Sequence, residues 1–377
     1  MHKLQCRMLI VYPTSADYLA EKGIVRKVEF KWKFIAEAFD KCIIAMPASS
    51  TTLRVDKAKF FCLPRNKFFR ALSLPIWLTY LMVVFCPSII RVYDFVWASL
   101  VLPLAKLMGI PIVMSLHGHW ESGLADIERN PFRRWAYRIL EKIAIRGSTV
   151  VICTSRSLCH HAQEIGAQRV EHIPTWGVDL DSVGFRPRHR PNEDGFWQIL
   201  MIGRIARQKN IELAIHILKI LREERGINAK LIIVGPYDDL VYISELKALV
   251  VALGIGDHVQ FTGGLPNDRV MRMYLEADCL LMTSVMEGTP HPVLESLASN
   301  CPIVSSAVGD VRELIEDGKN GYVFDLSCVE PVRVAALIEA AFKMGTLPDH
   351  YGRNRVFDIY STQASATKER DVLRAYL

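Results

Sequence analysis

Short apolar runs alternate with helical segments along almost all of the 377 residues of this chain. Strands that are separated by helices cannot pair as hairpins, so they form parallel sheets covered by helices. In the first half the predicted strands are residues 8–12, 42–46, 89–93, 111–116 and 149–153. In the second half they are residues 197–202, 230–234, 259–261, 279–282 and 303–305. The pattern predicts an α/β fold with doubly wound sheets.

The alternation stops at residues 186–195, where prolines and charged residues follow one another without periodicity. The chain is long enough for two domains, each with its own core. We therefore predict a Rossmann-like domain over 1–185, a linker over 186–195 and a second Rossmann-like domain over 196–360. Residues 361–377 are predicted to form a separate C-terminal helix.

The composition is that of an ordinary globular protein, half apolar and 23% charged. Its nine cysteines are scattered, mostly inside apolar runs, without a Cys-x-x-Cys pair or a cysteine–histidine cluster of zinc spacing. Buried thiols of this kind favour a reducing compartment, so we expect a cytoplasmic protein. The first apolar run, residues 8–12, is too short for the hydrophobic region of a signal peptide.

Residues 71–90 contain twenty uncharged residues, a length that would permit a membrane span. Pro75 and Pro87 interrupt the segment, and we expect instead a buried helix ending near Cys86 and followed by a strand. The preceding stretch, 57–70, is basic and aromatic. It is suited to peripheral contact with anionic lipid on the inner face of a membrane, or it is a solvated face. No nucleic-acid motif accompanies the net charge of +6, and no nucleic-acid partner is expected.

Glu287 and Glu295, with seven residues between them, are the most informative motif. A Gly-Thr-Pro turn at 288–290 follows a predicted buried strand and leads into a helix, with Pro292 expected at the first helical position. Backbone N–H groups at 289–293 and the helix dipole would favour an anion there. The two carboxylates are suited to binding hydroxyl groups of a sugar or ribose.

The two glutamates, the turn between them, and the segments 302–310 and 313–321 together resemble the donor-binding region of retaining glycosyltransferases of family four. The resemblance implies the GT-B fold, in which two Rossmann-like domains face each other across a cleft. It also implies a metal-independent transferase that uses no cofactor. Such an enzyme moves a sugar from a UDP- or GDP-sugar to a hydroxyl of a glycan or lipid-linked acceptor, as in cell-envelope polysaccharide synthesis.

Residue by residue, the resemblance implies that Arg204 and Lys209 hold the diphosphate, Glu287 the sugar and Glu295 the ribose. Arg204 and Lys209 follow a strand end at Gly203, and charged hydrogen bonds from them would stabilise a diphosphate by about 1.5–3 kcal/mol each. The further donor-binding residues expected are Gly203, Gly264, Leu265, Gly288, Thr289, Pro290 and His291. Gly264 and Leu265 match the segment that meets the nucleobase, although a simple turn would have the same sequence.

In the first half, the resemblance places His117 near the reacting carbon of the sugar, which gives the predicted catalytic set His117, Glu287, Arg204 and Lys209. Arg91 and Asp94 end a neighbouring strand and are expected to face the acceptor. Many family members carry a glycine pair after the first strand, whereas this chain has only Gly23. The family plan also sends the C-terminal helix back to the first domain.

Asp179 and Asp181 are separated by one residue, a spacing that some sugar transferases use for a metal. Here they match a segment that family four uses structurally, so no metal is expected. Two other functions stay open. A nucleotide-sugar 2-epimerase shares the fold, and a non-catalytic nucleotide-sugar-binding subunit would also keep it. The paired glutamates favour transfer, and the four intact donor residues argue against a non-catalytic subunit.

Overall fold

The computed structural model describes residues 6–21, 23–117, 130–174, 176–185, 195–344 and 351–377. The chain forms two compact units. The first contains Met1–Gly177 together with Thr362–Leu377, and the second contains Val178–Ser361. The first unit thus ends eight residues before the predicted boundary at 185, and most of the predicted linker, 186–194, lies outside the described residues.

The described part of the first unit has seven parallel strands. They are β1 (Arg7–Val11), β2 (Lys41–Pro47), β3 (Ala58–Leu63), β4 (Ile89–Val92), β5 (Ile112–Leu116), β6 (Val150–Cys153) and β7 (Val170–His172). Their order across the sheet is β3-β2-β1-β4-β5-β6-β7. The order reverses direction between β1 and β4, as in a doubly wound fold.

Helices cover both faces of this sheet. They are α1 (Ala16–Glu21), α2 (Val25–Ala36), α3 (Lys67–Phe85), α4 (Phe95–Leu107), α5 (Pro131–Gly147), α6 (Arg156–Ile165) and the C-terminal α14 (Thr362–Arg374). One apolar core lies beneath α3, α4, α5 and α6. A second core, on the other face, contains side chains of α1, α2 and α14.

Polar residues directly before four helices explain where those helices begin. The side chains of Asn66, Asp94, Asn130 and Ser155 each accept a hydrogen bond from a backbone N–H in the first turn. Such caps satisfy donors that have no partner within the helix. The local sequence therefore fixes the starts of α3 to α6.

The described part of the second unit has six parallel strands in the order β10-β9-β8-β11-β12-β13. They are β8 (Trp197–Ile202), β9 (Ala229–Val234), β10 (Val259–Gly263), β11 (Cys279–Met282), β12 (Ile303–Ser306) and β13 (Gly321–Phe324). The α-helices are α7 (Ile211–Glu223), α8 (Leu240–Ala252), α9 (Asn267–Glu276), α10 (His291–Ser299), α11 (Val311–Leu314), α12 (Pro331–Lys343) and α13 (Tyr351–Arg355). Apolar cores on both faces complete a second doubly wound unit.

Residues 178–183 belong to the second unit because hydrogen bonds tie them to its end. The N–H of Val178 donates to the carbonyl of Tyr360 at 2.8 Å. The Arg353 guanidinium donates to the carbonyls of Leu180 and Val183. The chain re-enters the first unit at Thr362, so α14 packs there against α2.

The predicted α/β class with two Rossmann-like sheets is confirmed, while the edge strands β3, β7 and β13 were not predicted. Two predictions about the apolar segment 71–90 are wrong: that Pro75 interrupts it, and that its helix is buried. Helix α3 continues through Pro75, which lies on its exposed side, where one missing hydrogen bond is tolerated. The helix ends at Phe85 as expected, yet only its inner side is buried. In the described residues, no helix is both long and apolar enough to cross a membrane.

A buried ionic cluster fixes α14 to the first unit. Glu369 lies 2.6 Å from the Lys31 Nζ and 2.7 Å from the Arg91 Nε, and all three side chains are 1% exposed. The Tyr93 hydroxyl donates to the same carboxylate at 3.0 Å, and Lys31 also donates to the Ser365 hydroxyl. Because both cations contact the one carboxylate, the cluster satisfies groups that would be costly to bury alone.

Candidate functional site

The best candidate site lies where the strand order of the second sheet reverses. Strand β8 pairs with β9 on one side and with β11 on the other. The loops after β8 and β11 therefore leave adjacent carboxyl ends and diverge, which opens a crevice at the switch point. Ligands of open parallel sheets bind in this position.

Lys209 and Glu287 meet at this switch point. Lys209 ends a 3₁₀ turn (Arg207–Lys209) after β8, and Glu287 lies in the loop after β11. The Lys209 Nζ is 2.5 Å from the Glu287 Oε1, and the two side chains are 15% and 14% exposed. Lys209 and Glu287 are 78 positions apart in the chain, and they are in direct contact. The sequence predicted both for the donor site.

Hydrogen bonds hold the two loops against each other. The N–H of Val285 donates to the Gln208 carbonyl at 2.9 Å. The Gln208 side-chain amide donates to the Met286 carbonyl at 2.6 Å. The Thr283 hydroxyl is within 2.8 Å of the Lys209 carbonyl. Because these bonds fix the backbone on both sides of the ion pair, Lys209 and Glu287 are preorganised rather than brought together by a ligand.

The backbone is tightly packed beside this pair, and only glycine fits. A Cβ on Gly235, after β9, would lie 1.8 Å from the Gly203 carbonyl oxygen. Both glycines have a positive φ, +155° and +152°, and a Cβ on Gly203 would be 2.9 Å from the Lys209 Cε. A small cavity opens here, lined in part by Gly203, Arg204, Lys209 and Ser284.

Arg204 is exposed at the rim of this cavity and forms a short ion pair with Asp238. Asp238 lies in the loop after β9, next to the switch point. Both predicted diphosphate-binding side chains therefore have a carboxylate partner, Asp238 for Arg204 and Glu287 for Lys209. An incoming anion would compete with these carboxylates for the two cations.

The turn between the two glutamates is fixed by the loop after β12. The Asp310 N–H donates to the Gly288 carbonyl at 3.0 Å, and the Thr289 hydroxyl bonds the Asp310 carboxylate. Pro290 precedes the first residue of α10, so the helix begins at His291, one residue earlier than predicted. Pro290 and Pro292 carry no N–H, and the Val293 N–H donates to the Pro290 carbonyl. The turn supplies fewer backbone donors than the sequence suggested.

Glu295 lies on α10, and its Oε2 accepts a hydrogen bond from the Tyr274 hydroxyl at 2.9 Å. Tyr274 is buried on α9, and burial together with the Glu295 charge raises its pKa well above the usual value. The neutral phenol therefore donates to the carboxylate at physiological pH. This contact orients Glu295 and is one that the sequence did not predict.

Gly264 and Leu265 follow the end of β10, on the other side of β9 from the switch point. The Gly235 N–H donates to the Gly263 carbonyl at 3.0 Å, which holds this loop beside the loop after β9. Leu265 packs against the core beneath α9 and α10. The segment is thus at the carboxyl edge of the same sheet as the ion pair.

In the first unit, His117 directly follows β5, at the carboxyl end of the first sheet. Desolvation near the packed strand ends, followed by repulsion from Arg91 and Lys31, lowers the pKa of His117 to about 4. The imidazole is therefore neutral at physiological pH. The residues that follow it, 118–129, lie outside the described residues.

The predicted acceptor-side residues lie in different settings. Arg91 requires a correction, because its guanidinium is buried against Glu369, Ser115 and backbone carbonyls rather than facing an acceptor. Asp94 caps α4 through the Val96 and Trp97 N–H groups, and burial raises its pKa. Gly23 is exposed with φ +66°. Arg91 has a structural role that its strand-end position concealed.

The Asp179 carboxylate accepts a hydrogen bond from the Asp181 N–H, which closes a turn. Among the described residues, no group of three histidines, cysteines or carboxylates is placed to hold a metal ion. Sequence reasoning missed Asp238, Tyr274 and the buried Ser284, whose hydroxyl has no hydrogen-bond partner. Asp238 and Ser284 lie in the loops after β9 and β11, and polar residues near strand ends were the available signal.

Two family models match this chain. "Glycosyltransferase Family 4" matches residues 39–182, and "Glycosyl transferases group 1" matches residues 185–355. Together the matches extend over most of the chain: the first includes β2 to β7, and the second includes β8 to β13.

Curated relatives are similar at moderate identity. A sulfoquinovosyl transferase of Arabidopsis thaliana is 28% identical over 61% of this chain and 45% of its own length. A GDP-mannose-dependent phosphatidylinositol monomannoside mannosyltransferase of Mycobacterium tuberculosis is 29% identical over 73% of each chain. The chain spans about half to three fifths of the length of the first three curated relatives that it matches.

Solved structures share the fold at low identity. The sucrose-phosphate synthase of Thermosynechococcus elongatus superimposes with a TM-score of 0.75 at 16% identity, covering 98% of this chain and 99% of that one. The Anabaena protein HepE, solved in complex with UDP, gives 0.72 at 15% identity and covers 98% and 100%.

Proposed function

This chain belongs to glycosyltransferase family 4, and we propose that it is a retaining glycosyltransferase that moves a sugar from a nucleoside-diphosphate donor to a hydroxyl of a glycan or lipid-linked acceptor. The GT-B fold predicted from the sequence is confirmed by the two doubly wound units and by their structural neighbours. The observation that carries the proposal is the Lys209–Glu287 pair at the switch point of the second sheet.

The donor is a nucleoside-diphosphate sugar, with UDP or GDP as the nucleotide. A diphosphate needs cations, which Arg204 and Lys209 provide, and close approach to the backbone, which Gly203 permits at the cavity. HepE was solved with UDP and with UDP-glucose, and the mycobacterial relative depends on GDP-mannose. These precedents support the nucleotide class for this chain.

Each side chain has a role in the proposed reaction. The bond between the anomeric carbon and the leaving phosphate oxygen breaks, and the acceptor oxygen bonds the same face of that carbon. The acceptor proton passes to the leaving diphosphate. Arg204 and Lys209 stabilise the charge that develops on this diphosphate, an effect that often dominates catalysis. Glu287 holds the sugar, and Glu295, oriented by Tyr274, holds the ribose.

On the acceptor side, we propose that the neutral imidazole of His117 acts near the reacting carbon. A neutral imidazole can accept a hydrogen bond from a sugar hydroxyl and donate another. We further propose a lipid-linked or glycan acceptor of cell-envelope synthesis, reached from the cytoplasmic face of a membrane. The mycobacterial relative, named for a phosphatidylinositol monomannoside, provides a precedent for a lipid acceptor.

A panel of UDP- and GDP-hexoses tests this function. We expect release of nucleoside diphosphate with one donor, accelerated by a glycolipid acceptor, and a product whose anomeric configuration matches that of the donor. The substitution Glu287→Gln should reduce turnover by roughly 10²–10³. Glu223→Gln, on the exposed side of α7, is the matched control and should leave turnover unchanged. Formation of a 2-epimer, or binding without release, would identify the epimerase or the non-catalytic subunit instead.

A further inference from the structure

The outer side of α3 is an exposed apolar stripe. Phe68, Leu72, Ile76 and Tyr80 recur every four residues, so they lie on one side of the helix. Leu72 and Ile76 are 71% and 70% exposed. The opposite side contributes Leu74, Leu78, Leu81 and Met82 to the core. Helices that are apolar on all sides are typical of buried or lipid-bound positions, yet half of this one faces outward.

Two further helices extend the stripe into a broad surface. Helix α5 exposes Phe132, Trp135, Ile139 and Ile143 at helical spacing, and α4 exposes Leu100 and Leu107, followed by the exposed Met108. Helix α4 contacts both α3 and α5, and all three bury their inner sides in the same core on the same face of the sheet. Their outer sides therefore point away from the sheet together. We name this surface, formed by α3, α4 and α5, the apolar helical face.

The exposed charges that the three helices of the apolar helical face carry are positive. Its helices carry a single carboxylate, Glu141, which is buried and lies 3.5 Å from the His161 Nε2. Their exposed basic residues include Lys106, Arg133, Arg138, Lys142 and Arg146. A second copy of this chain would bring the same positive charges against this face and would be repelled. An anionic surface is its electrostatic complement.

We propose that the apolar helical face docks onto an anionic phospholipid bilayer, with α3 lying in the plane of the interface. The exposed Trp77, Tyr80 and Trp135 are residue types that favour the boundary between headgroups and acyl chains. Lysines and arginines beside an apolar side add attraction to anionic headgroups. In the described part of the chain no helix is able to span a bilayer.

The proposed lipid contact differs from the segment that the sequence suggested. Residues 57–70 are divided between the edge strand β3 and the start of α3, so they do not form one basic face. The lipid contact lies mainly in α3 and α5 instead. As a statement about where a lipid-linked acceptor is met, this inference rests on the proposed function. As a statement about membrane binding, it depends only on the surface itself.

Vesicle flotation of the full chain, without donor, tests the proposal. We expect the protein to float with vesicles of three parts phosphatidylcholine and one part phosphatidylglycerol, and to bind pure phosphatidylcholine much less. The triple variant Phe68→Ser, Leu72→Ser, Ile76→Ser should reduce the bound fraction at least tenfold. The matched control is Leu240→Ser, Val241→Ser, Val251→Ser, which alters three equally exposed apolar residues of α8 in the second unit and should float normally.

A charge variant tests the second component. Arg133→Gln, Arg138→Gln, Lys142→Gln should lower binding to the anionic vesicles, and added salt should lower binding of the unaltered protein. Replacing the exposed Lys247, Arg312 and Lys343 of the second unit with glutamine should have little effect. Calorimetric binding of nucleoside diphosphate should be the same in every variant, which separates failure of this proposal from failure of the proposed function.

Two results would overturn the inference. One is a flotation result: either the unaltered protein floats with neither kind of vesicle, or the apolar and charge variants float as well as the unaltered protein. The other is a stable dimer in sedimentation experiments that ignores vesicles and that the α3 variant dissociates. In that case a second copy, rather than lipid, would cover the face.

Discussion

Lys209 and Glu287 illustrate how the site is prepared before a ligand arrives. Their charges are largely covered, and removing two charges from water is costly unless they pair closely, as they do at 2.5 Å. In the proposed reaction a diphosphate replaces Glu287 as the partner of Lys209, which leaves the carboxylate for a sugar hydroxyl. Arg204 makes the same exchange with Asp238.

His117 provides a prediction about protonation. Because its pKa is lowered to about 4, the imidazole should remain neutral across about pH 5 to 8, where an unperturbed histidine titrates. Its titration therefore cannot cause a change of activity in that range. Titration of its ring protons by NMR, assigned with His117→Gln, should give a midpoint well below that of an unperturbed histidine. A midpoint near 6.5 would contradict the electrostatic description of this strand end.

Gly235 provides a prediction about backbone packing. A Cβ at this position would collide with the Gly203 carbonyl oxygen. An alanine there would also have to adopt the positive φ of Gly235. We expect Gly235→Ala to weaken binding of nucleoside diphosphate and to lower stability by about 1–3 kcal/mol. Gly256→Ala is the control, because its added Cβ meets no atom within 4 Å and its φ is not positive. Equal behaviour of the two variants in thermal unfolding and calorimetry would refute the close-approach argument.

At the scale of elements, one buried carboxylate, Glu369, attaches α14 to Lys31 and Arg91. Burial tends to raise the pKa of Glu369, but Arg91 and Lys31 outweigh it and lower the pKa to about 2. A glutamate whose pKa is lowered by folding stabilises the fold above its unfolded value, about 4.3. That contribution is lost as the pH falls through about 2. Glu369 should therefore remain charged throughout the pH range in which the protein works.

Glu369→Gln should destabilise the first unit by about 3–5 kcal/mol, because it leaves Lys31 and Arg91 buried without their counter-charge. Denaturant unfolding measures this effect. Glu223→Gln removes a carboxylate from an exposed pair on α7 and should change the free energy of unfolding by less than about 1 kcal/mol. If Glu369→Gln lowered the free energy of unfolding as little as this control does, the cluster would not hold α14 in place.

The central strands were predicted from a property that the missed edge strands β3 and β7 lack. Central strands such as β1 and β11 are buried on both faces, and their continuous apolar runs are unmistakable. The edge strands β3 and β7 are only partly buried, and their sequences include lysine, glutamate or histidine. Such strands form because a neighbouring strand offers hydrogen bonds, which the local sequence does not report.

The candidate site shows the same division. Arg204, Lys209, Glu287 and Glu295 were predictable, because motif order and strand ends placed them on one sheet edge. Their partners Asp238 and Tyr274 were not, since they lie on other loops and helices and match no motif. Arg91 was misassigned because its partner, Glu369, is 278 residues away. Contacts at that separation follow from the return of α14, which the resemblance implied without indicating that Glu369 would pair with Arg91.

For the whole molecule, the proposals assign different tasks to the two units. The first unit carries the apolar helical face, and the second carries the switch-point pair. We predict that nucleoside diphosphate slows hydrogen exchange in the loops at 203–210 and 283–290, while anionic vesicles slow it in α3 and α5. Peptide-resolved mass spectrometry distinguishes these effects. Protection of α3 by nucleotide alone would contradict the assignment of tasks.

Calorimetric titration of nucleoside diphosphate into the unaltered protein, Arg204→Ala and Lys209→Ala tests the central claim most directly. Each substitution should weaken binding by about 1.5–3 kcal/mol, since each removes a charged hydrogen bond to phosphate. Thermal unfolding of Arg204→Ala should stay close to that of the unaltered protein, because Arg204 is exposed. Unchanged affinity in both variants would contradict the donor site described here.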